Sequence, residues 1–133
     1  MKSIKAIVAG SVFVLAAISL LGLIYIFIAV GYNSLAVDFP FLNEISGLFR
    51  YVVGLPVFIM TLFAGGYITA YVANMHNSVK VWLHCLAVGA ITVSSIMYSA
   101  MDYSSLTLTG IVVIILALGA SSAGGFYWLR SNK

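Results

Sequence analysis

Apolar residues gather into four long runs that are separated by polar segments. The runs cover about residues 6–30, 49–73, 81–100 and 106–129, and Arg50 is the only charged residue within them. A helix of about 20 apolar residues crosses the hydrocarbon core of a bilayer. The pattern therefore predicts an all-α integral membrane protein in which residues 1–133 form a single transmembrane domain.

Residues 32–48 form the one long polar connection, and we expect them to make an outer loop. Within and just after it, apolar residues recur at helical spacing. They are Phe41, Leu42, Ile45, Leu48 and Phe49. Pro40 suits a first helical turn and Asp38 suits the positive end of a helix dipole. The pattern predicts a short interfacial helix, and a lid or partner-docking element is the alternative.

The other two connections are short, at about residues 74–78 and 102–105. Short connections join antiparallel neighbours, so we predict four antiparallel transmembrane helices in an up-down bundle. Pro56 lies near the start of the second run, where it should remove one backbone hydrogen bond and bend the helix.

Charge gives the bundle an orientation. Five of the six basic residues flank the ends of the runs that we place on one side: Lys2, Lys5, Lys80, Arg130 and Lys133. The three acidic residues, Asp38, Glu44 and Asp102, fall in the connections on the other side. Because basic residues in short loops stay in the cytoplasm, both termini are predicted to be cytoplasmic, in a membrane of the bacterial inner type.

The first run has a second interpretation, as a cleaved signal peptide. Lys2 and Lys5 provide a basic start, and residues 29–31 loosely suit a cleavage site. However, the apolar segment of a signal peptide is only about 7–15 residues long. The length of the first run therefore favours a retained helix.

Small and weakly polar residues follow one face of several helices, where they allow close helix packing. The positions that we assign to helix packing are Gly54, Thr61, Gly65, Thr69, Gly110, Ser121 and Gly124. A faint repeat is also present, because residues 64–67 (AGGY) resemble residues 123–126 (AGGF). Duplication of a helical hairpin and chance similarity both explain this repeat.

The third run carries a polar stripe along one face. Its members are His84, Thr92, Ser95, Ser99 and Asp102. Ionisable groups inside a membrane call for a functional hypothesis, but His84 and Asp102 both lie near the ends of the run. The stripe is interpreted as a packing seam, with a hydrated path for an ion or small solute as the alternative.

Reactive chemistry has little support in the chain. No Asp or Glu lies within a run to orient a histidine as a base, and the single cysteine, Cys85, excludes a disulfide within the chain and a multi-cysteine metal site. Two histidines at membrane depth, as a haem would require, are not present. We therefore predict no enzymatic activity, no catalytic residues, no metal and no cofactor.

The composition agrees with the prediction of an integral membrane protein. With 63% hydrophobic and 7% charged residues, the chain is suited to a lipid bilayer, and its net charge of +3 does not indicate nucleic-acid binding. We expect a small membrane protein that acts by helix–helix association, as an accessory subunit of a membrane-protein partner or as a homo-oligomer. The alternative is a small channel or transporter assembled around the polar stripe.

Overall fold

The computed structural model of the protein describes residues 2–42, 50–74, 76–100 and 108–132, and this part of the chain is helical without strands. Four α-helices follow one another: α1 (Lys2–Asp38), α2 (Leu55–Ala73), α3 (Ser78–Ala100) and α4 (Leu108–Ser131). Each belongs to a segment that is long and apolar enough to cross a membrane. The predicted all-α class and the four long apolar helices are confirmed.

Helix α1 extends further than the apolar pattern indicated. It continues through residues 32–38, which were assigned to the outer loop, and ends at Asp38. The segment after Val30 contains no strong helix breaker until Pro40, which disfavours helical geometry at the preceding residue. Asp38 is therefore the last residue of α1, and the interfacial helix whose positive end it is expected to face falls largely outside the described residues.

The predicted interfacial helix lies largely outside the described residues, because it falls on residues 43–49. The backbone just before them turns away from α1. Phe39 donates its N–H to the carbonyl of Leu35, and Leu42 donates to the carbonyl of Phe39. The Tyr32 hydroxyl donates to the carbonyl of Leu42, which ties this turn to the last part of α1.

The second helical segment begins as one turn of π-helix, Arg50–Gly54, and continues as α2. Pro56 is the second residue of α2 and follows directly on the π-helical turn. Because proline has no N–H, it cannot bond to a carbonyl of that preceding turn, and the missing bond falls at the change from π to α geometry. Proline at this position begins the regular part of the helix.

A tight turn joins α2 to α3. Asn74 adopts the left-handed conformation, with φ 48°, and donates its N–H to the carbonyl of Tyr71. Asparagine tolerates this conformation better than most residues. The Asn77 side chain then accepts hydrogen bonds from the N–H groups of Val79 and Lys80, at 3.0 and 3.3 Å, and so caps the start of α3.

Helices α2 and α3 lie at the centre of the packing. Each of them contacts the other three helices, whereas α1 and α4 do not touch one another within the described chain. Two apolar clusters form the interior. The first contains Val14, Leu62, Val88, Val93 and Ala117, and the second contains Ala70, Val81, Cys85, Trp128 and Leu129.

The C-terminal half of α1, which the predicted orientation places on the outer side, leaves this packing. Six consecutive residues, from Leu23 to Ile28, are each between 47% and 78% exposed. Successive residues point about 100° apart around a helix, so this segment is apolar and uncovered on every side. In water such a surface would be unfavourable, and a membrane-spanning helix explains it.

Candidate helix-packing site

Helices α2 and α4 approach each other through two glycines. A Cβ atom added to Gly66 would overlap the carbonyl oxygen of Ser121, and one added to Gly124 would overlap the carbonyl oxygen of Phe63. Nearby backbone atoms are also close, because the same Cβ on Gly66 would lie 2.7 Å from the carbonyl carbon of Ser121. Only glycine permits this approach, which brings backbone against backbone as small residues do in membrane helix pairs.

The two halves of this contact are equivalent. Gly66 meets the carbonyl of Ser121, and Gly124 meets the carbonyl of Phe63. Gly124 follows Gly66 by 58 positions, and Ser121 follows Phe63 by the same number. Gly66 thus plays on α2 the role that Gly124 plays on α4. The resemblance of residues 64–67 to residues 123–126 aligns Gly65 with Gly124, so the structural equivalence differs from it by one residue.

Helix α3 joins the same crossing through polar contacts. Ser121 donates its hydroxyl hydrogen to the carbonyl of Cys85, at 2.6 Å, and the Cys85 thiol donates to the carbonyl of Gly66, at 3.5 Å. A Cβ on Gly125 would overlap the Cys85 sulfur and come within 2.8 Å of Val81. We call the set Phe63, Gly66, Cys85, Ser121, Gly124 and Gly125 the glycine crossing.

A second close approach joins α1 to α2. A Cβ on Gly10 would overlap the Thr69 hydroxyl and lie 2.9 Å from the carbonyl oxygen of Gly65, and one on Gly65 would overlap a Val14 methyl group. Thr69 is fully buried and donates its hydroxyl to the carbonyl of Gly65, at 2.8 Å. Here the neighbours are mostly side chains, which can move more easily than backbone.

The predicted packing residues are distributed unevenly over these contacts. Gly65, Thr69, Ser121 and Gly124 lie at helix interfaces. Thr61 is buried and donates its hydroxyl to Val57 of its own helix, at 2.8 Å.

The other two predicted packing residues lie differently. Gly54 is exposed, with no atom within 4 Å of an added Cβ, and Gly110 is partly exposed in the first turn of α4. Sequence reasoning omitted four residues that carry the closest contacts. They are Gly10, Gly66, Cys85 and Gly125. The doublets Gly65-Gly66 and Gly124-Gly125 were the available signal.

Two members of the polar stripe of α3, His84 and Thr92, contact carbonyls of their own helix. Thr92 is fully buried and donates to the carbonyl of Val88, at 2.9 Å, and His84 Nδ1 lies 2.7 Å from the carbonyl of Lys80. Ser95 is partly buried. The side chain of Ser99 and the whole of Asp102 lie outside the described residues. Because Thr92 bonds to its own helix, its hydroxyl hydrogen is not offered to a solute.

Two buried hydroxyls, those of Ser11 and Ser122, have no hydrogen-bond partner in the described part of the chain. Across the same residues, no group of three His, Cys, Asp or Glu side chains could hold a metal ion. Comparisons with protein families, with curated proteins and with solved structures find no match.

Proposed function

We propose that this chain is a non-enzymatic integral membrane protein that acts by helix–helix association, as an accessory subunit or as a homo-oligomer. The exposed outer half of α1 carries the proposal. A helix of 37 residues is about 55 Å long, whereas the hydrocarbon core is about 30 Å thick. Helix α1 is thus far longer than a single crossing needs.

The distribution of packing supports association through this segment. In the most apolar 18-residue stretch of α1, 6% of the residues are buried, whereas 28%, 33% and 28% are buried in the corresponding stretches of α2, α3 and α4. Close packing against another helix is a main source of stability for a helix in lipid. The residues from Leu23 to Ile28 obtain almost none of it from the described part of their own chain, and a neighbouring helix would provide it.

An antiparallel up-down arrangement accompanies this proposal. Support comes from contacts whose order reverses between successive helices. Gly10 of α1 meets Thr69, while Val14, one turn later, meets Gly65, one turn earlier. In the second hairpin, Gly89 meets Ala117 and Leu118, whereas Val81 meets Gly125. Since the tight turn between Ala73 and Ser78 also reverses the chain, α2 and α4 would run in the same direction.

The proposed location is a bacterial inner membrane, with both termini in the cytoplasm. The support is the charge bias, since Lys5, Lys80 and Arg130 lie at the ends of α1, α3 and α4 where basic residues favour the cytoplasmic side. The predicted interfacial helix would then lie on the outer surface. It would follow directly after the turn that Tyr32 holds.

Cysteine cross-linking tests the association. With Cys85 replaced by alanine, single cysteines are placed in turn at residues 20 to 30 and oxidised in native membranes. Specific association predicts disulfide-linked dimers that recur every three to four residues, because one face of α1 would meet its partner. For an accessory subunit, a bifunctional cross-linker at the same positions gives a product with a different protein, identified by mass spectrometry.

A matched control uses Leu62→Cys, because Leu62 is fully buried within the bundle and should not cross-link. Uniformly absent products at all eleven positions, with either reagent, would overturn the proposal. Equal products at every position would indicate random collision and would also count against it. A helical period in the yields is the supporting result.

A further inference from the structure

Three exposed basic side chains share one end of the bundle. Lys80 directly precedes Val81, and Arg130 directly follows Leu129; Val81 and Leu129 belong to the same buried cluster. Lys5 lies at the start of α1, little more than one turn before Gly10, which packs against Thr69 beside that cluster. We call Lys5, Lys80 and Arg130 the basic end.

Within the described residues, no carboxylate lies beside these charges. Asp38 ends α1 at the opposite end of that helix, and Glu44 and Asp102 follow in the connections beyond α1 and α3. Lys2 and Lys133 add further positive charge next to the same helix termini in the chain. An uncompensated positive charge of this kind attracts an anionic surface.

Backbone groups beside two of these residues are already hydrogen-bonded. Asn77 accepts the N–H groups at the start of α3, and the Trp128 carbonyl near the end of α4 accepts from Ser131 and Asn132, each at 3.0 Å. At Lys80 and Arg130 the attraction therefore comes mainly from side-chain charge. It suits a diffuse layer of headgroups better than a single coordinated ion.

Exposed aromatic residues lie close in the chain to the ends of the helices that form the basic end. Tyr71, Trp82 and Tyr127 are 65%, 45% and 58% exposed. Tyrosine and tryptophan at this level anchor a helix among lipid headgroups. Charge and aromatic exposure thus indicate the same partner.

We propose that the basic end binds anionic phospholipid headgroups in preference to zwitterionic ones. The proposal rests on the membrane insertion assumed above and extends it to a class of lipid. Each basic residue near an anionic surface favours binding by about fivefold. The preference should weaken as salt screens the charges.

Fluorescence of Trp82 measures this preference, because Trp82 is exposed close to Lys80, whereas Trp128 is buried and packs against His76 with ring centroids 5.9 Å apart. The full-length protein is reconstituted with phosphatidylcholine and increasing fractions of brominated phosphatidylglycerol or brominated phosphatidylcholine. Subtracting the quenching that remains in Trp82→Phe isolates the Trp82 signal. The two quenching curves give the relative affinity of the two lipids.

The wild-type protein should favour the anionic lipid several-fold at low salt. Lys80→Gln and Arg130→Gln should each reduce the preference by up to about fivefold. Arg50→Gln is the matched control, since it removes the same charge from the segment that begins α2, far from Trp82 in sequence, and should leave the preference intact. Equal quenching by both lipids in the wild-type protein would overturn the proposal.

A second arm separates headgroups from free phosphate. At equal ionic strength, sodium phosphate and sodium chloride should weaken the preference equally. Selective loss in phosphate would indicate a site for the free anion and would overturn the lipid assignment. The cross-linking experiment reports on the outer half of α1 and this one on the opposite end, so either proposal can fail without the other.

Discussion

Replacement of Gly66 by alanine should strongly weaken the bundle, because the added methyl group meets the backbone of α4. The new Cβ would overlap the Ser121 carbonyl oxygen and lie 2.7 and 3.1 Å from the carbonyl carbon and Cα of that residue. Comfortable carbon–carbon separations are about 3.5–4.0 Å, so α2 and α4 must separate by about 1 Å. The obstructing atoms are backbone, which cannot rotate away.

The expected cost follows from that separation. A gap of about 0.5–1 Å forfeits a quarter to a half of the dispersion energy of the contacts concerned, and overpacking of this kind usually costs about 1–3 kcal/mol. Gly124→Ala should behave similarly, since it meets the Phe63 backbone. Gly65→Ala should cost less, because a Val14 methyl group is its nearest obstacle.

Gly119→Ala is the matched control. Gly119 lies in the same helix as Gly124, but no atom lies within 4 Å of an added Cβ. Alanine favours a helix over glycine by up to about 1 kcal/mol, so this variant should be neutral or slightly stabilised. Unfolding in mixed micelles with increasing dodecyl sulfate, followed by far-ultraviolet circular dichroism, gives the free energies of unfolding.

The order of stabilities is the decisive result. We expect Gly66→Ala and Gly124→Ala to be the least stable variants, Gly65→Ala to be intermediate and Gly119→Ala to be the most stable. If Gly66→Ala were as stable as Gly119→Ala, the close approach of α2 and α4 would be refuted. Leucine at Gly65 or Gly124 should lower yield and alter migration in detergent, because it adds more bulk at the same contacts.

Three further predictions follow from the same structure. Ser121→Ala should lower the free energy of unfolding by about 0.6–1.7 kcal/mol in the same assay, because it removes the hydrogen bond to the Cys85 carbonyl. A larger decrease than in Gly66→Ala would show that the backbone contact is not the main contribution at this crossing. Thr92→Leu should destabilise the protein more than Thr92→Val, because Thr92 is fully buried. Reconstituted protein should pass no more ions than empty liposomes do. An ion leak that disappears in Thr92→Val would favour the channel alternative. A reporter that is active only in the cytoplasm should work after Lys133 and fail at Asn43, and the reverse pattern would invert the topology.

The amino-acid sequence alone determined the number and class of the long apolar helices in the described part of the chain. Four charge-poor apolar runs are incompatible with a folded domain in water, and each is long enough to satisfy its own backbone hydrogen bonds as a helix in lipid. The turn after Ala73 was equally readable, because Asn74 and Asn77 have the side chains that end and begin helices. These features are local, so local sequence suffices to predict them.

Only the tertiary structure decided which glycines matter. The doublets Gly65-Gly66 and Gly124-Gly125 stand out in the sequence, yet only the structure shows that Gly66 and Gly124 are the members that lie against backbone. The difference depends on the rotation of each helix and on the depth at which α2 and α4 meet. Nearly every helix face here is apolar, so hydrophobic periodicity gives no rotational signal. The partner helix, with its carbonyl oxygens at Phe63 and Ser121, makes the distinction.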